Sequence, residues 1–248
     1  MTVAKILFVF AHPDDETLAA GVAIAEHVAA GHDVAVAWLT RGEGSGVLAA
    51  LNGQAVSAWW GVLHVPVDEG YAVLSAGDLA DAREREAGVA VDALVSDLGA
   101  VTRFRGDLPD GGVTHDDALM SIRAIADTFA PGTVAVRLKS HTHAGALDEH
   151  PDHVAIGSAV RTLQATEPGR FGDCRFYILP GYWTDADLFM ASPTWDQPSN
   201  VGIKARAINA CRAYGAWAPA TGSYAVGFHS RPTWFGMVMA APKCLYHA

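Results

Sequence analysis

The chain has 248 residues, 17 Lys and Arg against 27 Asp and Glu, a net charge of -10, and half of its residues are hydrophobic. That length and apolar content fit one globular domain over residues 1–248 and exclude wholesale disorder. The negative charge argues against nucleic acid or an anionic membrane as main partner and points to a small, neutral or cationic molecule.

The first legible element is Ile6 to Ala11, a continuous apolar run of the kind that forms a strand buried on both faces. It is too short for a signal-peptide core or a membrane span, so a cytoplasmic setting is expected. Thr17 to Ala30, closed by Gly31, is predicted to be a helix, and Asp33 to Thr40 a second buried strand. Strand, helix and strand in that order make a βαβ unit. The expected fold is therefore α/β, with a mostly parallel, Rossmann-like sheet and helices on both faces. Further along, helices are predicted over Leu79–Leu98 and Ala118–Phe129, a turn at Leu108-Pro109-Asp110-Gly111, and a third core strand over Thr133–Leu138. A helix follows from Val154 to about Leu163. The last third, from Tyr177, is rich in Trp, Tyr, Pro and Gly, with a strand-like run from Trp234 to Ala240. Cys174, Cys211 and Cys244 are widely spaced without a CxxC, which implies neither a disulfide framework nor a cysteine metal site.

Ligands of an open parallel sheet bind at the carboxyl ends of its strands. Two polar clusters occupy such places: His12-Pro13-Asp14-Asp15-Glu16 after the first strand, and His150-Pro151-Asp152-His153 after the loop of the third. A proline suits the first turn of a helix, and residues three apart on that turn can converge on one point. His12, Asp15 and His153 together make a two-histidine, one-carboxylate set suited to Zn²⁺, which keeps an open position for water in catalytic sites. Asp14 is left beside the metal, where it can take a proton from that water, and His150 is left to stabilise an oxyanion or protonate a leaving group. The same donor set also suits Fe²⁺ in non-haem oxygenases, which commonly use all-β barrels. A metal-binding module without turnover has no need of the spare Asp14.

The string Ala11-His12-Pro13-Asp14-Asp15-Glu16, with Asp148-Glu149-His150-Pro151-Asp152-His153 over a hundred residues later, resembles the PIG-L/LmbE family of zinc-dependent N-deacetylases. Leu39-Thr40-Arg41-Gly42-Glu43, the helix around Arg83 and Glu86, and Leu108-Pro109-Asp110-Gly111 extend the resemblance over roughly residues 4–165. It implies hydrolysis of an N-acyl group, most often acetyl, on an amino sugar such as N-acetylglucosamine in a small conjugate. By motif position it implies His12, Asp15 and His153 as zinc ligands, Asp14 as general base and His150 at the tetrahedral intermediate. Arg83 and Asp110 become candidates for sugar contacts. The interval from Glu86 to Leu98-Gly99 is longer than the family pattern, so either Arg83 or Arg85 holds the substrate-facing place. Thiol-conjugate amidases and antibiotic-tailoring deacetylases share these motifs, and the C-terminal third is expected to build part of the pocket that separates them.

Of the other histidines, His141 and His143 read as solvated loop residues, and His229, before the turn at Arg231-Pro232, as a residue outside the pocket. Trp183, Trp195, Trp217 and Trp234 default to core packing.

Overall fold

The computed structural model describes residues 3–186 and 193–248. The central strands are β1 (Lys5–Phe10), β2 (Asp33–Thr40), β3 (Val101–Leu108), β4 (Val136–His141), β5 (Arg175–Ile178), β6 (Thr194–Asp196) and, at the end of the chain, β9 (Cys244–His247). They form one sheet in the order β3-β2-β1-β4-β5-β9-β6. The pairs from β3 to β5 are parallel, and β9 runs antiparallel to both β5 and β6. The expected α/β architecture with a mostly parallel sheet is what the chain adopts; an all-β barrel is not.

The helices are α1 (Asp15–Ala29), α2 (Val47–Leu51), α3 (Ala76–Val95), α4 (His115–Phe129), α5 (Pro151–Thr166), α6 (Pro168–Phe171), α7 (Val201–Ala213), α8 (Val226–Ser230) and α9 (Pro232–Ala240). Short strands β7 (Trp217–Ala218) and β8 (Ser223–Tyr224) make a separate hairpin. Two apolar layers follow from the pleat of β1, whose side chains point alternately to opposite faces. Ile6, Phe8 and Phe10 pack with α1, α3 and α7, whereas Leu7 and Val9 pack with α4 and α5.

Local chemistry sets the helix starts. Ser75 and Asp78 form a reciprocal capping box at α3, with the Ser75 Oγ accepting from the Asp78 N–H at 3.2 Å and Asp78 accepting from the Ser75 N–H at 2.8 Å. Thr114 caps α4 by accepting from the Asp117 N–H.

Three sequence expectations shift. The third core strand begins at Val136 and runs on to His141, so His141 ends a buried strand and is not a solvated loop residue. Val101–Leu108, not anticipated as a strand, is the sheet edge; its half-exposed alternation over Val-Thr-Arg-Phe-Arg lacks the apolar run that marks the central strands. Trp234–Ala240 is helical, because Pro232 opens a helix at its first position and only Phe235 and Val238, three apart, are buried.

The sheet order reverses between β1 and β4, the place where an open α/β sheet leaves a crevice at its strand ends. Gly157 on α5 closes that crevice from one side. A Cβ there would lie 2.6 Å from the Thr142 carbonyl oxygen and 2.7 Å from that of His141, so only glycine lets the helix lie against the end of β4.

Candidate metal centre

β1 ends at Phe10, and the chain turns within four residues into α1. Asp14 takes φ 132°, a conformation that residues with a side chain rarely adopt. Glu16 holds this turn. Fully buried, it accepts from the Asp14 N–H (3.1 Å), Thr17 Oγ1 (2.6 Å), the Trp38 indole N–H (2.9 Å) and the Tyr214 hydroxyl (2.7 Å). Burial raises its pKa, and these donors work against that rise.

The turn and the start of α5 bring three donor atoms together. His12 Nδ1 lies 3.0 Å from His153 Nε2 and 3.3 Å from Asp15 Oδ2, and His153 Nε2 lies 3.3 Å from Asp15 Oδ2. Ligands about 2.0–2.1 Å from a tetrahedral ion sit roughly 3.3 Å from one another, so the triangle has the size a Zn²⁺-like ion requires.

Carboxylates back both imidazoles. Asp148 Oδ2 is 2.8 Å from His153 Nδ1, and Asp110 Oδ1 is 2.9 Å from His12 Nε2, with Asp152 Oδ2 at 3.3 Å. Each backing carboxylate is itself tied down. Asp110 accepts from the Gly44 N–H, Asp152 from those of Gly111 and Val113, and Asp148 from that of His150. Such partners fix which ring nitrogen faces the ion. Burial alone would lower the pKa of His153, yet Asp15 and Asp148 raise it to about 9; His12 is likewise driven up against burial by Asp110, Asp15 and Asp152. The carboxylates around the pair favour positive charge here, whether as protons on the rings or as a cation in their place.

Other donor groupings overlap this one: Asp15 with His141 and His153, His12 with Asp110, His150 and Asp152, and His12 with His150 and His153. His141 is fully buried and stacks on His153 with centroids 3.9 Å apart, but its Nε2 accepts from the Ala11 N–H at 3.0 Å, which occupies the lone pair a metal would need. Asp110 and Asp152 already face His12 Nε2 and backbone donors. His12 Nδ1, Asp15 Oδ2 and His153 Nε2 form the tightest triangle of donor atoms, with Asp15 Oδ2 also accepting from the His12 N–H at 2.9 Å.

Asp14 lines the same cavity. Its Oδ2 receives a hydrogen bond from Arg83 Nη2 at 3.0 Å, and burial pushes its pKa up to about 7 despite that guanidinium. Arg83 also donates to the Pro13 and Gly42 carbonyls. Gly42, at φ 70°, lies against it so closely that a Cβ would stand 2.6 Å from the guanidinium. Arg83 thus lines the cavity as a brace for Asp14. Asp110, also on the wall, is engaged with His12. Arg85 turns away and bonds the Gly222 carbonyl.

His150 caps α5, its Nδ1 accepting from the Asp152 N–H at 3.3 Å. The proton of the neutral ring is then on Nε2, which has no partner among the described residues. Burial holds this ring below the ordinary histidine pKa, so it is a neutral donor.

The cavity measures about 500 Å³ and continues outward past Leu179, Tyr182, Ser230, Arg231 and Trp234. The C-terminal third therefore supplies its outer wall. His229, next to Ser230, faces away: its Nδ1 is 2.7 Å from Ser57 Oγ, within a cluster of Trp59, Trp60, His64 and Trp217. Trp234 departs from the core-packing expectation and lines the cavity. Glu16, His141 and Asp148 were not assigned roles from sequence. Position in the two motifs marks Glu16 and Asp148, while nothing local marks His141.

The sequence profile of the family described as GlcNAc-PI de-N-acetylase (PIG-L) matches residues 7–164. A 1D-myo-inositol 2-acetamido-2-deoxy-alpha-D-glucopyranoside deacetylase of Mycolicibacterium vanbaalenii is 34% identical over 156 residues, covering 63% of this chain and 47% of that protein. A protein of the same name from Rhodococcus jostii is 26% identical over 204 residues, covering 74% and 62%. The chain thus spans about half to three fifths of the length of these relatives. Among solved structures, a deacetylase of the teicoplanin biosynthetic pathway superposes with a TM-score of 0.62 at 19% identity, covering 95% of this chain and 89% of that one. The 4-carboxy-2-hydroxymuconate hydratase of Pseudomonas putida superposes with a TM-score of 0.55 at 18% identity, covering 96% and 88%. These likenesses establish the fold. That a deacetylase and a hydratase share it leaves the reaction to the site.

Proposed function

The chain belongs to the GlcNAc-PI de-N-acetylase (PIG-L) family, and from that premise we propose that it is a zinc-dependent hydrolase removing an N-acyl group, acetyl first, from an amino sugar in a small conjugate. The single observation that carries this is the triangle of His12 Nδ1, Asp15 Oδ2 and His153 Nε2, with sides of 3.0, 3.3 and 3.3 Å, next to an unligated Asp14. The relatives named for deacetylation of an N-acetylglucosaminyl-inositol support the substrate class.

A divalent ion at the triangle supplies Lewis acidity, acidifying water and polarising an amide carbonyl. Asp14 receives the proton of the attacking water. Burial makes this carboxylate more basic than an exposed aspartate, which suits it to that task, and Arg83 keeps it aimed. His150 presents Nε2–H to the oxygen of the tetrahedral carbon. Asp14 then returns its proton to the departing amine nitrogen, and the carbon–nitrogen bond breaks to leave a carboxylic acid and an amine, the acid's proton passing to the amine as carboxylate and ammonium separate. The acyl end of the substrate lies innermost and the rest of the conjugate extends toward Tyr182 and Trp234. Among the described residues no helix is long and apolar enough to cross a membrane, and the three cysteines are buried and free. The free cysteines support a reducing, cytoplasmic setting.

The test is the metal content of the purified chain, measured with amine release from N-acetylglucosaminyl-inositol before and after chelation. About one zinc per chain and amine release that chelation stops and zinc restores are expected. Stoichiometric iron with no amine release, or amine release indifferent to chelation, would overturn the proposal.

A further inference from the structure

Two guanidinium groups line the cavity, and they differ in what they are bonded to. Arg83, at the inner end, spends its donors on Asp14 and on the Pro13 and Gly42 carbonyls. Arg231, at the outer end, makes no side-chain hydrogen bond and no ion pair with any of the described residues; its guanidinium lies 4.7 Å from the centre of the Trp234 ring. A planar guanidinium lying over an indole keeps its N–H edge free, and that edge matches the two oxygens of a carboxylate or phosphate.

The platform beneath it is fixed. Trp234 packs over Gly181 so closely that a Cβ there would meet the indole at 2.4 Å, and Tyr182 lies edge-on to it at 6.1 Å. The backbone leading to Arg231 is anchored from α3, because Glu86 accepts from the Val226 and Gly227 N–H groups and the Arg231 N–H donates to the Gly227 carbonyl. A charged side chain with no partner among the described residues, on a rigid support at a cavity mouth, is placed for a ligand.

From this arrangement we infer that Arg231, supported on Trp234, is a specificity-determining residue that binds an anionic group, carboxylate or phosphate, on the part of the substrate beyond the amino sugar. The inference rests on the deacetylase proposal for the inner end of the same cavity. It departs from what net charge alone predicts, a neutral or cationic ligand. Asp14, Asp15 and Asp110 make the inner end hostile to an anion, so an anionic conjugate enters acyl end first and leaves its charge at the rim.

Three matched N-acetylglucosaminides test it, with a neutral polyol, a carboxylate-bearing and a phosphate-bearing aglycone. A hydrogen-bonded charge pair of this kind changes selectivity by about ten- to a hundredfold. The wild-type enzyme should favour at least one anionic conjugate over the neutral one by that factor in kcat/KM, chiefly through KM, and less so as salt is raised. Arg231→Gln should bring the ratio close to one, and Arg231→Lys should keep part of it. Comparing the carboxylate with the phosphate identifies which anion the edge fits. Equal use of neutral and anionic conjugates by the wild type, or a preference that survives Arg231→Gln, would overturn the inference. Calorimetric binding of the corresponding free-amine glycosides separates this from the reaction itself. Arg231-dependent preference for the anionic glycoside without turnover of any acetylated one would uphold the subsite and refute the deacetylase proposal.

Discussion

The inner wall of the cavity, from His12 to Asp15 and from Asp148 to His153, is made largely of ionisable side chains, and those of His12, Asp14, Asp15, Asp148, Asp152 and His153 are each answered by another charge or by a backbone donor, while Glu149 is exposed. The outer wall, from Leu179 to Tyr182 and from Ser230 to Trp234, presents Leu179, Ser230, two aromatic rings and an arginine that is unpaired among the described residues, on a backbone pinned from below. The contrast divides the labour between reaction and recognition. A buried charge network tolerates no partial satisfaction, because each unpaired member costs several kcal/mol. A wall of ring faces and a projecting guanidinium can be redrawn without disturbing the centre.

The largest effects should therefore come from the inner wall, and they should separate metal binding from turnover. His153→Ala is expected to lose both bound metal and amine release. Asp14→Asn should keep its metal while kcat falls by about 10²–10⁴, the usual worth of a positioned proton acceptor. Metal analysis beside steady-state kinetics checks the pair, and an Asp14→Asn variant with wild-type turnover would remove that carboxylate from the reaction.

One step further out, Asp148→Asn weakens the group that orients His153. Metal affinity should drop by about 10–100-fold, read by competition with a chelator, while the far-ultraviolet circular dichroism stays that of the wild type. Unchanged affinity would mean that the 2.8 Å contact does not set the ring.

The smallest effect belongs to the tie between the walls. Burial pushes Glu86 up to about 8, against the pull of the Val226 and Gly227 N–H groups. The folded protein then holds a proton that the unfolded chain has released above the ordinary glutamate value of about 4.3. This contribution to stability is full below that value and declines as pH rises until the folded pKa near 8 is passed. Glu86→Gln removes the dependence. Thermal unfolding of wild type and variant from pH 5 to 8 should diverge steadily, and parallel curves would show that Glu86 carries no such proton.

Much of this was legible in the chain. The apolar runs at Ile6–Ala11 and Val34–Leu39 are long enough to mark strands buried on both faces, and the prolines in the two His-Pro-Asp motifs mark helix starts. Together they place His12, Asp14, Asp15, His150 and His153 at strand ends before any coordinate is known. His141 was misplaced because Lys139, Ser140 and His141 continue a strand with polar residues, and hydropathy alone ends a strand where apolar residues stop. Val101–Leu108 was missed because an edge strand need bury neither face fully.

What the sequence determined by itself is thus the chemistry available at each strand end, since residue type and local periodicity are short-range properties. Only the tertiary structure decided that His12 and His153, 141 residues apart, would share one point at 3.0 Å. It also decided that Arg83 would brace Asp14 while Arg231 was left unpaired among the described residues. Those outcomes depend on the switch of strand order between β1 and β4 and on the close approach that Gly157 permits. Both are long-range packing facts that no local pattern of residues encodes.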